Sequence, residues 1–213
     1  MITTLRETSA QKTAIQTITF RVGTCTLGLV LVATTPQGIC AILLGSDERA
    51  LVRQLRSIFL QAALQKDSKV LDKVLNRVIQ FIETPVATLA LLLDIGGTAF
   101  QKRVWKALRE IPAGQTATYK ELALKLGATS QEIGEACAAN TLAVVIPCHR
   151  VIRSDGGLAG YRWGVNRKRL LLQREQEVFP DPQSLFAASD MLQAHLTAAH
   201  RAPQSVPPYE RLM

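Results

Sequence analysis

From Ile18 to Leu44 the chain reads ITFRVGTCTLGLVLVATTPQGICAILL, a stretch rich in β-branched and other apolar residues. It is interrupted at Gly23 and again at residues 35–38, Thr-Pro-Gln-Gly, and such interruptions are typical of tight turns between strands. Strands joined by tight turns pair in antiparallel fashion. The pattern therefore predicts a small antiparallel sheet near the start of the chain.

Two amphipathic helices are predicted after these strands. Leu, Val, Ile and Phe recur at helical intervals over residues 47–63 and 69–83, and Pro85 ends the second pattern. We expect both helices to cover one face of the sheet, which gives an N-terminal sheet-and-helix domain over residues 16–95. Residues 1–15 are interpreted as a flexible N-terminus.

A second domain, residues 96–177, is predicted after the extended linker TPVATLALLLDIGGT. Its first segment, FQKRVWKALREIP, carries an apolar helical face on which Trp105 is interpreted as a core residue. Sheet and helices in the first domain and helices in the second indicate an α/β (α+β) chain. The remaining residues, 178–213, form an extension of unknown role with a predicted helix near 184–199.

Two consecutive helices in the second domain have the same start signal. Thr118 stands three residues before Glu121, and this spacing is that of a capping box. Thr129 stands three residues before Glu132 in the same way. Because Gly127 lies between the two signals, the segment predicts a pair of short helices around a glycine turn, a candidate helix-turn-helix.

The charge of the chain is unevenly distributed. Lys and Arg outnumber Asp and Glu by 25 to 17, and residues 99–177 alone hold 13 basic and 7 acidic side chains. A basic half is typical of a protein that binds a polyanion, and it is equally typical of a solubilising surface. The charge by itself leaves both interpretations open.

The sequence indicates a cytoplasmic protein with no membrane partner. No stretch reaches the roughly 20 uninterrupted apolar residues that a membrane-spanning helix needs. The N-terminus, MITTLRETSAQKT, lacks the apolar segment of a secretory signal.

Four cysteines are present, and one of them has unusual neighbours. No CxxC pair or histidine cluster accompanies them, so neither a zinc site nor a disulfide framework is expected. Cys25, Cys40 and Cys137 stand among apolar or small residues and are interpreted as core residues. Cys148, by contrast, is followed directly by a histidine and an arginine.

The sequence Cys148-His149-Arg150 suggests a nucleophile. Only a few per cent of an ordinary thiol, with a pKa near 8.5, is ionised at pH 7, so a reactive cysteine needs a base or a positive charge beside it. A bend after Pro147 could bring the imidazole back toward the sulfur, directly or through a water. The dipeptide alone also fits a chance pairing.

A longer set of motifs resembles a known family. PCHRV, with VVI before it, GYRWG after it, and FQKRVWKALREIPAGQTATY and GICAILLG upstream, resembles the O6-alkylguanine-DNA alkyltransferases, in particular the C-terminal repair domain of bacterial Ada proteins. The resemblance covers about residues 18–177. It implies a ribonuclease-H-like N-terminal domain packed on an all-helical C-terminal domain that carries the helix-turn-helix.

The resemblance also implies an activity, that of a methylated-DNA–protein-cysteine S-methyltransferase in DNA repair. The expected partner is double-stranded DNA with an alkylated guanine, which is flipped out of the helix. Its alkyl group, or that of O4-alkylthymine, passes to Cys148 in a single turnover. The protein is expected to act as a monomer, and no metal or organic cofactor is implied.

Five residues match the family's reactive centre. The resemblance makes Cys148 the alkyl acceptor, His149 the base that reaches it through water, and Glu175 the carboxylate that orients His149. Asn140 matches the asparagine that ties the recognition helix to the active-site turn. Tyr119 matches the tyrosine whose hydroxyl meets the flipped base.

Further matches are expected to contact the substrate or DNA: Gln131, Arg150, Val151, Tyr161, Arg162 and Trp163. The carbonyls of Cys148 and Val151 would accept from the exocyclic amine of guanine, and residues 161–163 would close the pocket, where Trp163 would favour small adducts. Structural alternatives remain for several. Tyr119 and Tyr161 could be packing residues, Asn140 a helix cap, and Glu175 and Arg150 an ion pair.

The chain departs from the family at Gln131. Family members commonly place an arginine there, which fills the space of the extruded base, and the preceding loop is about two residues shorter than usual. Base extrusion is therefore expected to be weak. The sensor and extra DNA-binding segments of full Ada proteins are not seen before this domain, so neither phosphotriester sensing nor transcriptional control is expected.

Three other functions compete with alkyl transfer. An alkyltransferase-like protein binds damaged DNA without transferring a group. Such relatives replace the acceptor cysteine, which this chain retains as Cys148. A thiol hydrolase would turn over an ester or a peptide. A helix-turn-helix regulator would recognise a specific operator.

Overall fold

The computed structural model describes residues 16–67, 69–85 and 89–180. Its larger sheet has four strands in the order β3-β2-β1-β4, and the first three are antiparallel as predicted. The strands are β1 (Thr17–Cys25), β2 (Gly28–Thr35), β3 (Gly38–Gly45) and β4 (Ala63–Lys66).

Six helices are found in the described ranges: α1 (Glu48–Ile58), α2 (Asp72–Glu83), α3 (Ala99–Arg109), α4 (Tyr119–Leu126), α5 (Ser130–Ala138) and α6 (Val165–Val178). None of them is long and apolar enough to cross a bilayer. The flexible segment predicted for residues 1–15 and the helix predicted near 184–199 lie outside the described ranges.

The structure corrects the first predicted helix. Helix α1 ends at Ile58, and the chain then forms β4, which pairs in parallel with β1. Ala63 N–H donates to the Gln16 carbonyl at 2.9 Å, and Asp67 N–H donates to the Phe20 carbonyl at 2.8 Å. These bonds pair backbone groups of the β1 edge, and a helical pattern in the sequence gives no sign of such distant pairing.

Gly23 does not form the turn that the sequence predicts. It lies within β1 opposite Val30, and the chain reverses instead between Cys25 and Gly28, where Gly28 adopts a φ of +108°. A Cβ at position 23 would come within 2.9 Å of the Leu75 side chain of α2. The glycine therefore serves close helix-on-sheet packing rather than a turn.

Helices α1 and α2 pack against the sheet and bury their apolar faces. Leu51 and Leu55 of α1, and Val78 and Ile82 of α2, are almost completely inaccessible. The buried residues of the sheet and of the later helices belong to one continuous cluster. The two halves of the chain therefore share a hydrophobic core.

Capping boxes start three helices of the second half. The predicted boxes at Thr118 and Thr129 are confirmed, and Thr98 forms a third at the start of α3. Gly127 ends α4 with a φ of +63°, so α5 follows after a short turn. Trp105 is buried as predicted, and its Nε1 donates to the Ala136 carbonyl at 2.8 Å.

The second half is not all-helical, contrary to the prediction. Strands β5 (Ala117–Thr118) and β6 (Val151–Ile152) pair in parallel, and a 3₁₀ turn, Cys148–Arg150, precedes β6. Two-residue strands carry too weak a pattern to be found in a sequence, because their pairing depends on distant partners. This pairing joins the Cys148 segment to the beginning of α4.

The far edge of the sheet connects both halves. Ile39 of β3 donates its N–H to the Leu92 carbonyl at 2.9 Å, so the predicted linker runs extended along this edge. Further along, Ile42 donates to the Thr141 carbonyl at 2.8 Å and accepts from Ala143 at 2.9 Å. The segment that leads to Cys148 is thus anchored to β3.

Candidate active site

Cys148 lies at the end of a tightly folded segment. Val145 N–H donates to the Ala143 carbonyl at 2.7 Å across Val144, whose φ is +61°. Cys148 N–H in turn donates to the Ile146 carbonyl at 2.8 Å. A β-branched residue at positive φ is strained, and such strain persists where surrounding packing enforces it, commonly at functional sites. Val144 is indeed buried.

Asn140 connects helix α5 to this segment. Its side chain is completely buried, and its Nδ2 donates to the Ile146 carbonyl at 3.0 Å and to the Cys148 Sγ at 3.3 Å. Its Oδ1 accepts from Leu142 N–H at 2.8 Å. One amide therefore holds both the backbone turn and the thiol.

His149, Arg150 and Glu175 form a buried cluster. His149 Nε2 lies 2.8 Å from Glu175 Oε1, while Arg150 donates to the same carboxylate from Nε at 2.9 Å and from Nη2 at 2.8 Å. Arg150 also donates to the Ile111 carbonyl at 2.6 Å. Burial raises the pKa of Glu175, but the hydrogen bonds from His149 and Arg150 and the positive charge of Arg150 outweigh it and lower the pKa to about 2.

This cluster determines the tautomer of His149. An ionised carboxylate only accepts hydrogen bonds, so Nε2 of His149 carries the proton. Burial lowers the pKa of His149, which opposes the raising effect of Glu175, so the ring is neutral near pH 7. Nδ1, which has no hydrogen-bond partner within the described structure, is the basic nitrogen.

The resting Cys148 thiol is protonated. Burial raises its pKa to about 11, although the hydrogen bond from Asn140 and the positive charge of Lys168 act in the opposite direction. A thiol with this pKa has almost no thiolate at neutral pH. A nucleophilic reaction at this sulfur therefore requires a base, which His149 can provide.

A cleft of about 350 Å³ opens onto the thiol. Its lining consists of Tyr119, Gly134, Cys137, Ala138, Cys148, Gly160, Tyr161 and Arg162. Burial raises the pKa of Tyr119 to about 12, so its hydroxyl keeps its proton and can donate it. The Arg162 guanidinium donates to the Ala138 carbonyl at 2.6 Å and closes one side of the cleft.

Two of the predicted contact residues lie elsewhere. Trp163 is buried behind Tyr161, with ring centroids 5.2 Å apart, and does not line the cleft, so the expected effect on adduct size loses its basis. Arg150 is also buried, and Glu175 and Ile111 occupy its guanidinium. This environment favours the ion-pair alternative for Arg150, and its contact with substrate or DNA stays a prediction.

Val151 and Gln131 lie near the site but do not line the cleft. The Val151 carbonyl accepts from the buried Lys168 Nζ at 2.5 Å, which leaves it one lone pair for another donor. Gln131 is exposed outside the cleft, three residues before Gly134 on the same face of α5.

Two residues that face the thiol were missed by sequence reasoning. Lys168 is fully buried, and its charge lowers the pKa of Cys148; Cys137 lines the cleft. Spacing offers a signal for Lys168, because it stands seven residues before Glu175 and thus on the same face of α6. Cys137 follows Gly134 by three residues, which likewise places the two on one face of α5.

A buried cysteine next in sequence to a histidine whose Nε2 is held by a carboxylate is the arrangement of an activated thiol nucleophile. The family model described as 6-O-methylguanine DNA methyltransferase, DNA binding domain, matches residues 99–177. The Candida albicans methylated-DNA–protein-cysteine methyltransferase is 41% identical over 134 residues, which cover 62% of this chain and 75% of that protein. The chain belongs to the O6-alkylguanine-DNA alkyltransferase family.

Two further comparisons describe how far the likeness extends. The Escherichia coli bifunctional transcriptional activator and DNA repair enzyme Ada is 46% identical over 162 residues, 75% of this chain and 46% of Ada. The chain thus spans about half the length of that relative. The crystal structure of Mycobacterium tuberculosis OGT in complex with DNA superposes with a TM-score of 0.63 and 29% identity, covering 75% of this chain and 93% of that one.

Proposed function

We propose that the protein repairs DNA by moving an alkyl group from O6-alkylguanine to Cys148, and acts once. The observation that carries this proposal is the hydrogen-bonded series from Glu175 through His149 beside a buried thiol that faces a cleft. O4-alkylthymine is a second substrate of the same kind.

The reaction needs two proton transfers. His149 Nδ1 takes the Cys148 proton, through a water, while the sulfur attacks the alkyl carbon, and Glu175 stabilises the imidazolium that forms. The carbon–sulfur bond forms as the carbon–oxygen bond breaks, and Tyr119 supplies a proton to the departing guanine. Tyr119 recovers a proton from solvent, to which the His149 imidazolium releases the proton that it took from the thiol. Because a thioether is inert, the thiol is not regenerated.

Asn140 and the loop 160–163 position the reactants. Asn140 holds the Cys148 sulfur in a fixed position relative to the turn. Its hydrogen bond favours the thiolate as negative charge develops on the sulfur. The side chains of Tyr161 and Arg162 close over the base, while the carbonyls of Cys148 and Val151 accept from its exocyclic amine.

DNA binding follows from the second half of the chain. Helices α4 and α5 act as a helix-turn-helix, with α5 in a groove and Gln131 near the space of the flipped base. Residues 16–95 form a ribonuclease-H-like domain, residues 96–177 the DNA-binding domain, and residues 178–213 an extension of unknown role. The protein works as a monomer in the cytoplasm, where its four cysteines stay reduced.

Intact-mass measurement tests this function. After incubation with duplex DNA that contains O6-methylguanine, we expect one methyl group per protein, on Cys148. Cys148→Ala abolishes the shift while DNA binding remains. Multiple turnovers, or a methyl group on Cys25, Cys40 or Cys137, contradict the mechanism; binding without any shift indicates a damage-binding protein instead.

A further inference from the structure

The outward face of α5 is acidic. Its exposed residues are Ser130, Gln131, Glu132, Glu135 and Ala138, of which two are acidic, and the helix contains no lysine or arginine. The surrounding segment, residues 99–177, carries a large positive excess. A helix that faces a polyanion gains affinity from basic side chains, so two carboxylates here require an explanation.

The two carboxylates differ in what they contact. Glu132 is engaged in the capping box, where it accepts from Thr129 N–H at 2.7 Å and from the Thr129 hydroxyl at 2.8 Å. Glu135 accepts from Gln131 Nε2 at 3.0 Å and forms no ion pair with any residue in the described ranges. Its charge is thus uncompensated, and its hydrogen bond keeps Gln131 along the helix.

Glu135 lies beside the mouth of the cleft. Gly134 and Ala138, its neighbours along α5, line the cleft together with Cys148. Gln131 precedes them by three and seven residues, so it shares their side of the helix. In a helix-turn-helix, the N-terminal part of the second helix is the part that approaches the bases.

We propose that Glu135 is a specificity-determining residue that restrains the reaction with duplex DNA, because its carboxylate repels the phosphates and holds Gln131 against α5. This inference rests on the proposed function. A free alkylguanine has no phosphates and needs no extrusion, so Glu135 does not affect its reaction at Cys148. The protein therefore favours bases that leave the duplex easily.

Two substitutions separate charge from hydrogen bonding. Glu135→Gln removes the charge and keeps an acceptor for Gln131, while Glu135→Ala removes both. Glu177→Gln is a matched control, because Glu177 accepts from Gln173 Nε2 at 3.0 Å with the same four-residue spacing on α6. Single-turnover transfer is measured for each variant with methylated duplex DNA and with free O6-methylguanine.

We expect Glu135→Gln to lower the half-saturating duplex concentration about fivefold at low salt, which is the effect of one charge near a phosphate. The gain should fade towards 1 M salt, where charges are screened. Glu135→Ala should lower the half-saturating duplex concentration further, since this substitution also releases Gln131. The rate with the free base, and both rates of Glu177→Gln, should equal those of the parent.

Two results overturn the inference. In the first, the parent and both Glu135 variants react equally with duplex DNA. In the second, the variants react faster than the parent by the same factor with both substrates, which would place the effect on the thiol. Failure of the proposed function looks different. In that case the parent protein transfers no methyl group from either substrate.

Discussion

At the residue scale, the state of the site depends on how neighbouring groups offset the effect of burial on the pKa of one thiol. Cys148 is buried, and burial alone disfavours its thiolate. His149 is buried and neutral. Glu175 holds its Nε2, and its Nδ1 is free. The structure thus holds a protonated thiol and a neutral base, and in the proposed reaction the proton moves when a substrate arrives.

His149→Ala should slow transfer and change its pH dependence. Because only preformed thiolate then reacts, the rate should rise about tenfold per pH unit between pH 7 and 9. In the parent, the lowered pKa of His149 keeps the base neutral above about 6.5, so its rate should be nearly flat there and fall only where the pH drops below this lowered pKa. Parallel pH–rate profiles of the two proteins would remove His149 from the reaction.

Lys168→Met should slow the reaction without loss of stability. The Lys168 ammonium is fully buried and has no carboxylate partner in the part of the chain that the structure describes. Its removal eliminates the free-energy cost of desolvating the ammonium but raises the pKa of Cys148. We expect slower methylation at pH 7 and a Tm no lower than that of the exposed control Lys73→Met. A lower Tm with an unchanged rate would indicate a structural role.

At the element scale, α5 is the helix that we propose to approach duplex DNA. The helix begins at a capping box, turns its apolar residues toward α3 and ends next to Asn140. Its apolar residues therefore pack inside the protein, while in the proposed function its exposed side faces the DNA. Gln131, where the chain departs from the family pattern, lies on this exposed side, which it shares with the cleft-lining Gly134 and Ala138.

Gln131→Arg should gain little activity on duplex DNA by itself. An arginine at this position stands four residues before Glu135, at the spacing of a helical ion pair, which would keep the guanidinium on the helix. Combined with Glu135→Ala, the same arginine is free to reach the DNA. Duplex transfer rates in a double-mutant cycle should show a combined gain larger than the product of the single gains. A strictly multiplicative result would mean that the two positions act independently.

At the scale of the whole molecule, the carboxylate of Glu175 also stabilises the fold. Glu175 of α6 joins the 3₁₀ turn at Cys148–Arg150 and, through Arg150, the end of α3 near Ile111. Removing one partner of such a cluster leaves the other buried and uncompensated. The proposed activity and the stability of the fold therefore both depend on this residue.

Glu175→Gln should lower the free energy of unfolding at pH 7 by about 3–5 kcal/mol. The pKa of Glu175 lies lower in the folded protein, about 2, than the ordinary 4.5, so its contribution is present above pH 4.5 and lost as the pH falls toward 2. The lowered pKa of His149 adds a loss below pH 6.5. Urea unfolding from pH 7 to 3 should show a flatter curve for Glu175→Gln than for Glu177→Gln. Superimposable pH dependences would contradict the assignment.

Much of the architecture was readable from local patterns. The antiparallel strands, the capping boxes at Thr118 and Thr129, and the buried Trp105 each depend on residues a few positions apart, where spacing and propensity act directly. The reactive dipeptide Cys148-His149 was found in the same way. Its family resemblance supplied Glu175 and Asn140, which the structure places in hydrogen-bond contact with His149 and Cys148.

Tertiary structure decided what distant segments do to one another. The sequence could not reveal that β4 completes the sheet, that Gly23 makes room for Leu75, or that Trp163 lies behind Tyr161. Burial of Arg150 and Lys168 was equally hidden, because a cation is normally exposed unless specific partners surround it. Such partners come from other elements of the fold, so the energy that keeps each residue in place exists only once the chain has folded.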